Sequence, residues 1–344
     1  MPAETTPAEP TPARWSHTAS RVGLALSGGG AKGAYQAGVA ACLAEYGVQP
    51  RIVCGASIGA LNGAVLACGS SPADAAARLK AVWREVAADA GESMAAFPSE
   101  AAGPAGQPEA TPAALRGLDG AIAGMSSPIL AQTYLDDLVR RHVDLTALRG
   151  GPPLWASMYP VVFADYLPSW AWLIDVLRAP FTTEGSWVCV SQVASHQIHD
   201  VVLASAALPP VLPARSVSGV SYRDGGLFDN TPLGPIAADP DCDVAIVVHL
   251  RQGAVWDARA YPGLRVIEIR PTTPLAAPGA TGWINGLLDF SPARVEWLIQ
   301  RGYEDATAAL GRIQAALQAT HGLRRATAAA TAEADLLDHD FPTP

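Results

Sequence analysis

Val22-Gly23-Leu24-Ala25-Leu26-Ser27-Gly28-Gly29-Gly30-Ala31-Lys32-Gly33 is the stretch on which the fold turns. Apolar residues at 22, 24 and 26 alternate and then give way to glycines, the pattern of a strand entering a turn. From Ala34 to Tyr46 the spacing predicts a helix, closed by Gly47. Three successive glycines let the backbone approach a ligand closely and take conformations barred to other residues. Between a strand and a helix, their N–H groups gather where negative charge is favoured. Such a turn can serve as an oxyanion hole, with Gly28, Gly29 and Gly30 as donors.

The same residues satisfy G-x-G-x-x-G, which alone is a weak signal. A dinucleotide site wants an acidic residue about 20 positions on, at the end of the second strand. This chain has Ile52-Val53-Cys54-Gly55 there. A phosphate-binding loop wants Gly-Lys-Ser/Thr, but Lys32 precedes Gly33 and Ala34 follows. Both nucleotide readings lose ground. Lys32 is open to two readings, a solvated helix-start lysine or a cation that orients the loop or attracts an anionic head group.

Arg51 to Cys54 reads as a short buried strand, followed by Gly55-Ala56-Ser57-Ile58-Gly59 and a small-residue helix from Ile58 to Cys68. A serine on a strand-to-helix turn is crowded on both sides, and Gly55 and Gly59 relieve the crowding. Ser57 would then sit at a helix N-terminus, the place of an activated nucleophile. Residues 52–68 carry no charge, but their glycines and Asn62 suit a buried strand–turn–helix better than a membrane span of about 20 apolar residues.

The base has a candidate in Tyr222-Arg223-Asp224-Gly225-Gly226, an aspartate at a strand end followed by a sharp turn. An aspartate of ordinary pKa, about 3.9, is a poor base, and burial would improve it. An ordinary Asp-Gly turn is the plainer alternative. His249 follows Asp224 in the order Ser, Asp, His of common α/β-hydrolases, although a packed or solvent-facing strand-end histidine is the plainer reading. His196 and His199 precede the aspartate and fit that order worse.

Composition sets bounds. The 344 residues are 49% hydrophobic and only 16% charged, with a net charge of −9. The absence of a basic block argues against nucleic acid. Membrane contact, which would be peripheral, is expected to be apolar rather than electrostatic. The five cysteines (42, 54, 68, 189 and 242) form no C-x-x-C pair and read as reduced core thiols, with no zinc site. Neither a secretory signal nor a transmembrane helix is expected, which suggests a cytoplasmic or membrane-peripheral protein and leaves signal-independent export open.

Residues 1–20 read as a disordered tail and 321–344 as a peripheral tail, with one α/β unit between them at 21–320. Helices are expected at 73–89, 129–141 and 292–319. Strands are expected at 187–193, 217–223, 244–250 and 266–269. Two insertions stand out. Residues 90–128 are rich in Ala, Gly, Pro and Ser, and are either a lid or disordered. Residues 152–187 are the most aromatic part of the chain, and are either a satellite core or a lid or acyl-chain groove.

Taken in order, G-G-G-x-K-G, G-x-S-x-G and Asp-Gly-Gly resemble the motifs of the patatin-like phospholipases. Ala204-Ser205-Ala206-Ala207-Leu208-Pro209-Pro210 and Leu227-Phe228-Asp229-Asn230-Thr231-Pro232-Leu233 extend the resemblance, which covers roughly 21–250. It implies a three-layer α/β fold with a central, mostly parallel sheet flanked by helices. It implies a Ser–Asp dyad without histidine, metal or cofactor: Ser57 as nucleophile, Asp224 as base, Gly28–Gly30 as oxyanion hole, and Lys32, Gly33, Gly55, Gly59, Gly225 and Gly226 in support. The implied substrate is a lipid acyl ester, foremost of a phospholipid. Other esters, thioesters and a non-catalytic lipid-binding protein are the alternatives, and nothing identifies an activating protein partner. Asp229 and Asn230 are expected to cap the next helix or brace the aspartate loop rather than react.

Overall fold

The computed structural model describes residues 21–96, 128–161, 176–179, 185–209, 211–253, 256–276 and 286–339. The tail at 1–20, most of the first insertion and most aromatics of the second lie outside these residues.

The core of the sheet is five parallel strands in the order β3-β2-β1-β7-β8: β1 (Val22–Leu26), β2 (Ile52–Gly55), β3 (Leu154–Pro160), β7 (Val244–Val248) and β8 (Arg265–Ile269). β4 (Ser186–Cys189) and β6 (Val220–Asp224) pair antiparallel with β3, and β5 (Arg215–Val217) pairs antiparallel with β6. The fold is therefore α/β with a mostly parallel central sheet.

Helices cover both faces of the sheet. On the thicker face lie α1 (Ala34–Glu45), α2 (Ile58–Ala67), α3 (Pro72–Ala96), α4 (Pro128–His142), α6 (Ile198–Ser205) and the start of α8 (Pro292–His339). Leu24, Leu26, Val53, Leu154 and Ile246 point into this layer. Ala25, Ile52, Cys54, Ala245 and Val247 face the other way, toward α7 (Gly234–Ala238) and the 256–264 segment. A short α5 (Leu145–Gly150) precedes β3, its N-terminus capped by Asp144, which accepts from the Ala147 N–H at 2.7 Å.

All five residues of β1 are buried, on both faces of the sheet. The alternation arises because the second face carries the small Gly23 and Ala25, beneath Ile236 of α7. The small-residue helix α2 does pack close to the sheet. A Cβ on its Gly63 would stand 2.8 Å from Leu154 and 3.1 Å from Val53.

Other boundaries differ from expectation. The strand expected at 217–223 is a hairpin, β5–β6, turned by Ser218 and Gly219 at φ of 51° and 80°. Positive φ at both central residues matches the twist that joins adjacent strands. The strand expected at 244–250 ends at Val248, although the His249 N–H still donates to the Ile269 carbonyl at the end of β8 at 3.0 Å. α3 runs to Ala96, into the first expected insertion, and α8 continues to His339, beyond the end expected at 319. The second expected insertion begins instead as β3, a sheet strand whose Tyr159 is buried. Burial on both faces leaves this strand no alternation by which to read it. All five cysteines are buried and free.

Candidate active site

Ser57 and Asp224 come together although 167 positions separate them. Ser57 Oγ donates to Asp224 Oδ2 at 2.6 Å. Parallel pairing of β1 with β2 sets the glycine turn and the Ser57 turn side by side at the carboxyl ends of the strands. β6 then enters from the opposite direction, with Asp224 level with Met158 of β3, and so brings the carboxylate to the serine.

The Ser57 turn is strained. Ser57 has φ 54° and ψ −125°, a region that L-residues seldom occupy. Several bonds hold it there. The Ser57 N–H donates to Ser205 Oγ at 3.1 Å, and the Ala56 N–H donates to the Leu26 carbonyl at 3.1 Å. Gly59 sits so near the end of β1 that a Cβ would lie 2.2 Å from the Leu26 carbonyl oxygen, which excludes any side chain. Gly55 closes β2 against the same turn.

Asp224 is 2% exposed. Burial raises its pKa to about 6, against the opposing hydrogen bonds from the Ser57 hydroxyl and the Gly226 N–H. The Gly226 N–H donates to Oδ1 at 2.7 Å, so Oδ2 is left for the serine. Gly225 lies flat on the Ser157 carbonyl.

The glycine turn adjoins the serine. A Cβ on Gly28 would stand 3.0 Å from Ser57 Cβ, and Gly30 has φ 58°. The three expected donors are not equivalent. The Gly28 N–H is already committed to the Asn230 carbonyl at 3.2 Å. Among the described residues the N–H groups of Gly29 and Gly30 have no acceptor. Gly33 ends the 3-10 turn that leads into α1.

Lys32 is not a solvated surface lysine. It is 8% exposed, and burial with the nearby Arg251 charge lowers its pKa to about 8. Asp229 and Asn230 brace the loops, as expected. Asp229 accepts from the Thr231 N–H at 3.0 Å and from Trp187 Nε1 at 3.1 Å, while Ser27 Oγ and Thr231 Oγ1 are 2.9 Å apart.

His249 is directed elsewhere. It is buried, and its Nε2 lies 2.8 Å from Glu268 Oε2. Burial and the Arg270 charge lower its pKa to about 4, against the opposing pull of Glu268. His196 sits in a 3-10 turn before α6, and the His199 ring meets the Val143 carbonyl at 3.1 Å.

A buried polar network under the glycine turn escaped the sequence reading. Gln36 Nε2 donates to the Ser27 carbonyl at 2.8 Å, and Asn62 Nδ2 donates to the Gly33 carbonyl at 3.0 Å and to Gln36 Oε1 at 2.8 Å. Trp83 Nε1 donates to Asn62 Oδ1 at 3.0 Å. The network ties α1, α2 and α3 to the turn. Its one sequence signal is Asn62, an amide in an uncharged run. Ser205 left no such signal, because a serine in an Ala-rich segment looks incidental.

Ser57 and Gly30 also line a cavity of about 310 Å³. Its wall is almost wholly apolar and includes Leu61, Val65, Leu138 and Val139 from α2 and α4. Among the described residues no group of side chains could hold a metal ion, and no helix is long and apolar enough to cross a membrane.

Several solved structures resemble the chain, two of them at 16% identity. VipD from Legionella pneumophila is 16% identical over 85% of this chain and 67% of that chain, with a TM-score of 0.41. The type III effector protein ExoU is 16% identical over 88% of this chain and 53% of that chain, with a TM-score of 0.29. The chain thus spans about half the length of ExoU. No curated protein matches it. The family model described as patatin-like phospholipase matches residues 24–237, well over half of the chain and every motif above. The chain belongs to the patatin-like phospholipase family of lipid acyl hydrolases.

Proposed function

We propose that Ser57 and Asp224 form a catalytic dyad that cleaves fatty acyl esters, foremost those of phospholipids, through an acyl-serine intermediate. The 2.6 Å contact between Ser57 Oγ and Asp224 Oδ2, with Ser57 on the wall of an apolar cavity, carries this reading. Asp224 accepts the Ser57 proton as Oγ attacks the ester carbonyl. With a pKa near 6, it is a stronger base than an ordinary aspartate and is still ionised at neutral pH. The tetrahedral oxyanion accepts hydrogen bonds from the Gly29 and Gly30 N–H groups, at the start of a helix and beside the Lys32 charge. Protonated Asp224 then gives its proton to the leaving alkoxide, and lysolipid departs. Water enters, loses a proton to Asp224 and attacks the acyl-serine, which releases fatty acid and restores Ser57. The cavity holds the acyl chain throughout.

Mass spectrometry of mixed phospholipid vesicles, after incubation with wild type, Ser57→Ala or Asp224→Asn, tests the proposal. The expected result is fatty acid and lysophospholipid from wild type alone. Lipid release by a folded Asp224→Asn protein at the wild-type rate overturns the dyad. Release from thioesters or small esters but not from phospholipids moves the substrate class and leaves the dyad standing.

A further inference from the structure

The α2 wall of the cavity behind Ser57 ends at buried residues, and where it ends bears on what the enzyme accepts. One side of α2 forms a wall of the cavity, with Ile58, Leu61 and Val65 recurring at the spacing of one helix face. Val65 is the last of these, and Val143, just past the end of α4, lines the same cavity. Beyond the pair the two segments converge. Cys68 Sγ donates to the Asp144 carbonyl at 3.5 Å, and the His199 ring holds the Val143 carbonyl at 3.1 Å. Val65 and Val143 are 6% and 2% exposed, so neither opens to solvent.

Eight residues separate Ser57 from Val65, about 12 Å at about 1.5 Å per helical residue. An extended hydrocarbon advances about 1.25 Å per carbon, given bonds of about 1.5 Å zigzagging at tetrahedral angles. The ratio is about ten carbons. We infer that the cavity is an acyl-chain ruler: it accepts one medium-length chain of about ten carbons, and Val65 and Val143 set the limit. This rests on Ser57 being the nucleophile, because the length is counted from that residue.

Hydrolysis of saturated p-nitrophenyl esters from four to sixteen carbons, each below its micelle concentration, tests the ruler alongside fatty-acid binding to Ser57→Ala protein by thermal shift. In wild type, kcat/KM is expected to rise about fourfold per methylene while each added group is buried, and to stop rising near ten carbons. Val143→Ala should move the limit outward by one or two carbons, and Val65→Phe should move it inward by two or more. If Val65→Phe does not fold, Val143→Ala carries the test alone. A rise that continues to sixteen carbons, or the same limit in wild type and variants, overturns the ruler while leaving the hydrolase intact. Absence of turnover with every ester, together with binding that still breaks near ten carbons, overturns the hydrolase and with it the ruler counted from Ser57, and leaves only a fatty-acid site of that length.

Discussion

Asp224→Asn should make the protein more stable as it makes it inactive. Burial raises the Asp224 pKa from 3.8 to about 6, so the folded state holds this proton more tightly than the unfolded chain does. Below pH 4 the group is protonated in both states and costs nothing. As pH rises from 4 to 6 the unfolded chain loses its proton first, so stability falls, and above pH 6 the full penalty is present. A rise of this size corresponds to about 3 kcal/mol. Asparagine never bears the charge, yet its oxygen can still accept from the Gly226 N–H and its nitrogen can donate to Ser57 Oγ. The variant should therefore exceed wild type by about 2–3 kcal/mol at pH 8 and match it at pH 4. Urea unfolding of both proteins at the two pH values measures the difference, and vesicle hydrolysis at pH 8 confirms the loss of function. An Asn variant less stable than wild type at pH 8, or equally stabilised at both pH values, refutes the claim that a buried charge is held there for catalysis.

The same ionisation predicts the rate profile. Below pH 6, kcat/KM should rise about tenfold per pH unit and then level off, and an acid limb centred near pH 4 would contradict the burial argument. Ser205→Ala removes the acceptor of the Ser57 N–H, worth about 1 kcal/mol, so kcat should fall about fivefold with little change in KM; unchanged kcat would show that the turn holds without it. His249→Ala should leave kcat/KM within about twofold while costing about 2 kcal/mol of stability in urea, since a buried ring is lost from beside Glu268. A hundredfold loss of activity there would restore a Ser-Asp-His triad.

The parallel strands, the two glycine-bracketed turns and the aspartate turn were legible because each depends on local chemistry. Glycine at 28–30, 55 and 59 marks places where a side chain does not fit, and such marks survive without any tertiary information. β3 was not legible. Trp155, Met158 and Tyr159 mask its pattern, and burial on both faces removes the alternation that identifies an exposed sheet. Equally hidden was the unequal status of Gly28, Gly29 and Gly30, since the Asn230 carbonyl that occupies one N–H comes from about two hundred residues away. Lys32 follows the same rule, because the Arg251 charge that adds to the effect of its burial comes from beyond the end of β7 rather than from its neighbours in sequence.

The stretch that carries the family's motifs ends at 237, but the chain does not fold up to that point and stop. β1, which leads into the glycine turn, lies between β2 and β7, and β7 begins at Val244. α1, which follows the turn, crosses α8 at backbone contact: a Cβ on Gly38 would stand 1.8 Å from the Ile299 carbonyl oxygen, and Tyr35 donates to Asp305 at 3.1 Å. A fragment cut at the motif boundary would bare one edge of the strand under its own glycine turn and one face of the helix behind it. An uncovered hydrophobic strand edge is a template for aggregation. The part that does the chemistry and the part that can exist alone are therefore different lengths of the same chain.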